Sequence, residues 1–150
     1  MQRSGFMAVV LRSWGSALAV LAAAALVAGI SWSGGATAGA VLQFLLLAVL
    51  ALLISPLAFP RSISAAEAAG AGKPIVYWRP GCQFCLRLRF SLFGSARRAS
   101  WVNIWTDPEA AAAVRAVADG NETVPTVVAG GETRVNPSPH WVREHLADRQ

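Results

Sequence analysis

The chain has 150 residues, thirteen Lys or Arg against eight Asp or Glu, a net charge of +5 and two cysteines. So few cysteines exclude a small scaffold stapled by disulfides. Residues 1–60 hold only two charged side chains, Arg3 and Arg12, and all the others follow, so the first part suits lipid and the second water.

Residues 14–32 are an uncharged Ala/Leu/Val run with Trp14 and Trp32 at its ends. As a helix the run is about 27 Å long, close to the roughly 30 Å of a bilayer's hydrocarbon core, and tryptophan at both ends suits interfacial anchoring. Residues 41–59 give a second span of similar length, with Pro56 in its last turn, a position that neighbouring helix tolerates. The uncharged residues 33–40 join the two, so residues 1–60 read as a transmembrane hairpin. Ala36-Thr37-Ala38 also resembles the cleavage site of a secretory leader. The long segment ahead of it and the span that follows at once favour the hairpin. Arg3 and Arg12 precede the first span, Arg61 and Lys73 follow the second, and the loop has no basic residue. The positive-inside rule therefore puts both termini, and everything after the hairpin, on the cytoplasmic side of the plasma membrane.

Residues 61–72 are rich in alanine, serine and glycine and read as a flexible linker. Ser64 and Glu67 have the spacing of a capping box and would start one or two helical turns before Gly70. Residues 73–150 suffice for a compact α/β core. Ile75-Val76-Tyr77-Trp78 is a buried strand by its continuous apolar character. After the Arg79-Pro80-Gly81 turn, residues 83–95 read as a helix stopped by Gly94. Residues 101–105 are β-branched and aromatic enough for a second strand. Asp107 as N-cap, Pro108 and Glu109 open a second helix that residues 110–118 continue and Gly120 ends. Residues 126–129, the Gly130-Gly131 turn and residues 132–135 make a hairpin, and residues 139–147 a closing helix. The order is β-α-β-α-β-β-α.

Between first strand and first helix lies Cys82-Gln83-Phe84-Cys85. A cysteine at a helix start meets unpaired backbone N–H groups and the positive end of the helix dipole, which favour thiolate over thiol. Thiolate is the form that attacks a disulfide. Cys85, one turn on, lies on nearly the same face and close enough to close a disulfide ring with Cys82. A zinc site completed by His140 and His145 is the main competitor. Those histidines stand five apart, about 140° around a helix, and converge poorly. A pair of merely apolar cysteines fits badly beside a surface turn.

A strand, Cys-x-x-Cys, a helix, a Thr-Val-Pro tripeptide, then a terminal hairpin and helix resemble the glutaredoxin family of the thioredoxin fold. The strings Val102-Asn103-Ile104-Trp105, Gly120-Asn121-Glu122-Thr123-Val124-Pro125-Thr126-Val127 and Asn136-Pro137-Ser138 look like its actinobacterial mycoredoxin branch. The match covers about residues 74–147. It implies a mixed four-stranded sheet and a thiol–disulfide oxidoreductase with Cys82 and Cys85 catalytic. It also implies a cis proline at Pro125 facing the cysteines, and a Val124 backbone that pairs with the bound thiol compound. Arg79, Phe84, Thr123, Asn136, Pro137 and Ser138 complete the thiol-binding set that the resemblance carries over. The co-substrate would be a low-molecular-weight thiol, mycothiol or glutathione, with no tightly bound cofactor and no metal.

Three departures bear on that implication. Gln83 stands where glutaredoxins often have proline or glycine, though Phe84 keeps the aromatic before the second cysteine. Asn136-Pro137-Ser138 replaces the glycine-pair and aspartate loop that holds glutathione in the family. Arg79 matches a basic position that meets a ligand carboxylate, which mycothiol lacks; it either supports the Cys82 thiolate or is solvated.

The expected organisation is a hairpin at 1–60, a linker at 61–72 and a glutaredoxin-like domain at 73–150. The expected function is a membrane-anchored reductase of mixed disulfides between proteins and a small thiol. Two other readings stand beside it. One is a redox partner or assembly factor for a single membrane protein, with Gly29 and Gly35-x-x-x-Gly39 supporting helix contacts; the other is a thioredoxin-like binding module without turnover. The basic residues Arg87, Arg89, Arg97 and Arg98 read as a solvated face or one drawn to anionic lipid headgroups. Without base-stacking aromatics in a recognisable module, they do not argue for nucleic acid.

Overall fold

The computed structural model describes residues 2–147, and side chains from residue 11 onward except Arg12. Arg3 and Arg12, which carry part of the orientation expectation, fall outside the described side chains, and residues 148–150 outside the described chain. The chain forms two compact units, Met1–Ala58 and Phe59–Gln150.

In the first unit, α1 (Gln2–Ser33) packs against α2 (Thr37–Ile54). Only Gly34, Gly35 and Ala36 lie between them, fewer than the eight-residue loop 33–40 expected, because Ala40 N–H already donates to the Ala36 carbonyl at 2.9 Å. The second helix ends at Ile54 rather than at residue 59. Ser55 is extended, with ψ 163°, as the residue before a proline must be, and Pro56–Ala58 form a single 3-10 turn. Pro56 therefore terminates the helix instead of sitting in its last turn. Ala17, Ala24, Ala40 and Ala51 are buried, whereas Leu18, Leu26, Ile30, Leu42, Leu46 and Val49 are exposed. Small residues face inward and large apolar ones outward. Ser13–Ser33 and Thr37–Ile54 are long and apolar enough to cross a membrane. In the Gly35-x-x-x-Gly39 stretch, Gly35 is in the loop at φ +83°, and a Cβ on Gly39 would meet nothing within 4 Å in this chain.

The second unit is built on a mixed four-stranded sheet of order β2-β1-β3-β4. β1 (Ile75–Trp78) runs parallel to β2 (Ser100–Asn103) and antiparallel to β3 (Thr126–Ala129), which pairs antiparallel with β4 (Glu132–Val135). The β1–β2 crossover is α4 (Gln83–Leu92) and a 3-10 stretch, Phe93–Arg98; α5 (Pro108–Val117) joins β2 to β3, and α6 (Pro139–Ala147) closes the chain. The expected element order and mixed sheet are those observed. Gly130 and Gly131 both take positive φ, 60° and 83°, which a two-residue hairpin turn of matching twist demands. α4 packs on α6 and α6 on β3, burying Leu88, Val127, Val142 and Leu146.

Two boundaries differ from expectation. α4 ends at Leu92, one residue before Gly94's neighbour Phe93 takes the positive φ of 40°. β2 stops at Asn103 because the Asn103 side-chain oxygen accepts from Trp105 N–H at 3.0 Å and its carbonyl accepts from Thr106 N–H at 3.1 Å, folding the apolar Ile104-Trp105 into a turn.

Residues 61–72 are not the flexible linker expected. Ser64 caps α3 (Ala65–Gly70), its hydroxyl accepting from Glu67 N–H at 3.2 Å, and three long-range bonds fasten the segment to the domain. Ile63 N–H donates to the Trp101 carbonyl at 3.0 Å, Asn103 N–H to the Ser62 hydroxyl at 2.8 Å, and Ala65 N–H to Asp107 Oδ2 at 2.6 Å. Ser62 thus extends the sheet beyond β2. Phe59, expected in the membrane span, is buried with its ring stacked on Trp78 at 4.0 Å. Asp107 also acts on the neighbouring strand: burial first, and the Asp107 charge second, push the Tyr77 hydroxyl above its ordinary pKa of 10.0.

Candidate active site

β1 delivers the chain to the Arg79-Pro80-Gly81 turn, where Gly81 takes φ +74°, a conformation that glycine adopts at little cost. Cys82 then stands as the N-cap of α4, with extended backbone, and its sulfur accepts from Cys85 N–H at 3.1 Å. This is the position of an Asp or Ser cap occupied by sulfur. Once reduced, Cys82 carries its negative charge where an orphan helix donor stabilises it. The two cysteines form a disulfide with Cα atoms 5.2 Å apart. Cys82 is half-buried and Cys85 fully buried, so Cys82 is the more accessible of the two.

Opposite the dithiol is the start of β3. The Val124–Pro125 bond is cis, and the Val124 carbonyl lies 3.4 Å from the Cys82 sulfur. Asn136, in the left-handed region at φ 49°, donates its N–H to the Pro125 carbonyl at 2.7 Å. Ser138 accepts from Trp141 N–H at 3.3 Å and so caps α6. These elements enclose a groove of about 270 Å³, with Phe84 and Leu88 contributed by α4 and Pro125, Asn136, Pro137 and Ser138 by the entry to β3 and the turn after β4. Arg87 and Pro139 complete its lining.

A model of the family described as Glutaredoxin matches residues 75–134. Two Mycobacterium tuberculosis proteins, from strains CDC 1551 / Oshkosh and ATCC 25618 / H37Rv and each described as a glutaredoxin, are 39% identical to this chain over 72 residues, a stretch that is 47% of this chain and 86% of theirs. The chain belongs to the glutaredoxin family. Glutaredoxins are thiol–disulfide oxidoreductases that use glutathione-like thiols as co-substrate, and this glutaredoxin carries the Cys82–Cys85 disulfide within the matched residues.

The structure brings Phe84, Pro125, Asn136, Pro137 and Ser138 to one groove and sets Val124 beside Cys82. Thr123 and Arg79 do not line that groove. Thr123 is exposed, its carbonyl accepting from the Thr126 hydroxyl at 2.8 Å. Arg79 donates to the Glu122 carbonyl at 3.4 Å and lies 5.9 Å from the Trp105 ring centroid. His140 faces Glu144 at 3.4 Å and His145 Nδ1 faces the Trp141 carbonyl at 2.8 Å. Among the described residues no three metal-ligating side chains come together. Arg87 and Leu88 escaped the sequence reading as groove residues. Their spacing from Phe84, three and four positions along one helix, is the signal that would have found them.

Proposed function

We propose that this glutaredoxin is anchored in a membrane by residues 1–58 and reduces mixed disulfides between proteins and a small, mycothiol-like thiol. The observation that carries the reading is the Cys82 sulfur at the α4 N-cap, accepting from Cys85 N–H and facing the Val124 carbonyl. In the first step the Cys82 thiolate attacks the small-thiol sulfur of the mixed disulfide. A Cys82–S bond forms, the old S–S bond breaks, and its electron pair leaves with the client's thiolate, which takes a proton from solvent. A second small thiol, as thiolate, then attacks the small-thiol sulfur held on Cys82; the bond to Cys82 breaks, the symmetrical disulfide departs and the Cys82 thiolate returns. On the dithiol route Cys85, having lost its proton to solvent, attacks the Cys82 sulfur and expels the small thiol as thiolate, closing the Cys82–Cys85 disulfide; two further small thiols then reduce it and leave as their symmetrical disulfide. The small thiol lies in the groove, where Asn136-Pro137-Ser138 stands in place of an aspartate loop; this supports a polyol thiol such as mycothiol over glutathione.

Membrane anchoring is supported by the two spans and by their outward-facing large residues. Phe90 and Phe93 are 54% and 82% exposed. Arg89 donates to the Phe93 carbonyl at 3.3 Å, Arg97 and Arg98 follow, and no acidic residue occurs between Glu67 and Asp107. Such an aromatic and basic face suits an anionic lipid surface. Arg61 and Lys73 support a cytoplasmic domain.

Two variants test the reading in a mixed-disulfide reduction assay of the full chain. Cys82→Ser abolishes turnover, whereas Cys85→Ser keeps the monothiol route. Equal loss in both would mean a dithiol, thioredoxin-like cycle instead. Alkylation of Cys82 in intact cells by an impermeant reagent would overturn the cytoplasmic placement.

A further inference from the structure

The groove beside Cys82 has an uneven electrical character. Arg87 is the one charged residue lining it, and no carboxylate does. The nearest acids in sequence to its lining are engaged with other partners: Glu122 holds Arg115 at 2.7 Å, Glu132 holds Arg134 at 2.8 Å and Glu144 faces His140 at 3.4 Å. Ser138 and Pro139 open α6, so the groove also meets the positive end of that helix. The other cation of α4, Arg89, is directed elsewhere, to the Phe93 carbonyl at 3.3 Å. The opposite wall offers Asn136 and Ser138, and the remaining surface is Phe84, Leu88 and prolines.

We infer that Arg87 sorts small-thiol disulfides by the group they carry beyond the sulfur, admitting thiols that present hydroxyl or carboxylate oxygens and disfavouring those that end in an ammonium. The inference rests on the reading of Cys82 as the nucleophile. Five guanidinium N–H groups and no acceptor make arginine a partner for oxygen alone, and an ammonium in the groove meets a like charge with no carboxylate to offset it. Arg87 is exposed, so solvent screens the effect and the discrimination is on the order of five- to tenfold rather than a thousandfold.

The test takes as parent the reduced full chain carrying Cys85→Ser, so that no second thiol displaces the adduct, in detergent with three symmetrical disulfides: bis(hydroxyethyl) disulfide, dithiodipropionate and cystamine. Mass spectrometry follows the rate at which Cys82 takes up one half of each while the other half leaves as free thiol. Relative to the parent, Arg87→Gln should slow dithiodipropionate uptake about five- to tenfold, speed cystamine uptake by a similar factor and slow the hydroxyethyl compound about twofold; Arg87→Lys should keep the parent's order. The larger of the first and third effects tells whether carboxylate or hydroxyl is the preferred oxygen. A variant that slows all three equally assigns Arg87 a structural role and overturns the inference, as does one that changes none. If Cys82 of the parent takes up none of the three, the oxidoreductase reading itself falls, and the inference with it.

Discussion

Replacing Phe59 with alanine asks whether the residues between hairpin and sheet belong to the glutaredoxin core. Phe59 is 8% exposed; its ring stacks on Trp78 at 4.0 Å and tilts against Trp101 at 5.9 Å. Removing the ring forfeits about 3 kcal/mol of apolar burial and about 1 kcal/mol of aromatic packing. The sum agrees with the roughly 3–5 kcal/mol that buried Phe→Ala changes cost, out of the about 5–15 kcal/mol that a domain possesses. With a urea dependence of about 1.5 to 2 kcal/mol per molar for a domain of this size, the unfolding midpoint falls by about 2 M. Pulse proteolysis of the full chain in detergent across a urea series reads that midpoint from cleavage within the domain. Phe93→Ala is the control, because that ring is 82% exposed and its loss should stay within about 0.5 kcal/mol. A Phe59→Ala shift no larger than the control's would refute the reasoning, since it would mean that residues 59–72 detach from the sheet in solution.

Asp107 offers a second handle. Its Oδ1 accepts from Glu109 N–H at 3.0 Å and Ala110 N–H at 3.1 Å, while Oδ2 accepts from Ala65 N–H at 2.6 Å. Asp107→Ala should therefore cost about 1–2 kcal/mol as a lost helix cap and about 1 kcal/mol more for the Ala65 bond, with faster amide hydrogen exchange at Ala65, Glu109 and Ala110. Tyr77 supplies a pH dependence. Burial, then the Asp107 charge, raises its pKa in the folded state, so the fold favours the protonated hydroxyl. That contribution is complete below the unfolded value of about 10 and is lost as pH rises through the folded value above it. Denaturant midpoints should therefore fall more steeply on the alkaline side in the parent than in Tyr77→Phe, and a parallel fall in both would exclude Tyr77 as the cause.

Most of the sheet was legible because its signals are local. Gly130-Gly131 between two β-branched runs, Asp107-Pro108 at a helix start and the apolar Ile75-Val76-Tyr77-Trp78 each fix their own element, and the observed bounds of the hairpin and of α6 are those expected. What escaped was decided by contacts across the chain or by side-chain competition. Asn103 ends β2 through hydrogen bonds to Trp105 and Thr106, which hydropathy does not see. The segment 61–72 looked like a linker because its composition is that of one. The bonds to Trp101, Asn103 and Asp107 depend on residues about forty positions away. The dithiol was legible from its spacing together with its place between a strand and a helix. The groove was half legible: Phe84 and the 136–138 turn came with the resemblance, whereas Arg87 was read among surface arginines.

The distinction between local and distant causes also divides the site's chemistry from its geometry. The charge on Cys82 is favoured by the first turn of α4, through Cys85 N–H three residues away, and needs nothing beyond the helix. The facing Val124 carbonyl and the groove wall arrive on β3, positioned through its register with β1, Val76 opposite Val127 and Tyr77 opposite Thr126. β1 in turn is held at its C-terminal end, where Ile104 N–H donates to the Trp78 carbonyl at 3.0 Å and Phe59 covers the Trp78 ring. Trp78 stands four residues before Cys82, so the segment leading in from the hairpin buttresses the strand from which the dithiol turn springs. Loosening that buttress should therefore disturb the fit of the disulfide's small-thiol half before it disturbs the reactivity of the sulfur. For the folded fraction of Phe59→Ala, this means an unchanged rate of Cys82 alkylation by a small neutral reagent, alongside slower uptake of disulfides large enough to fill the groove.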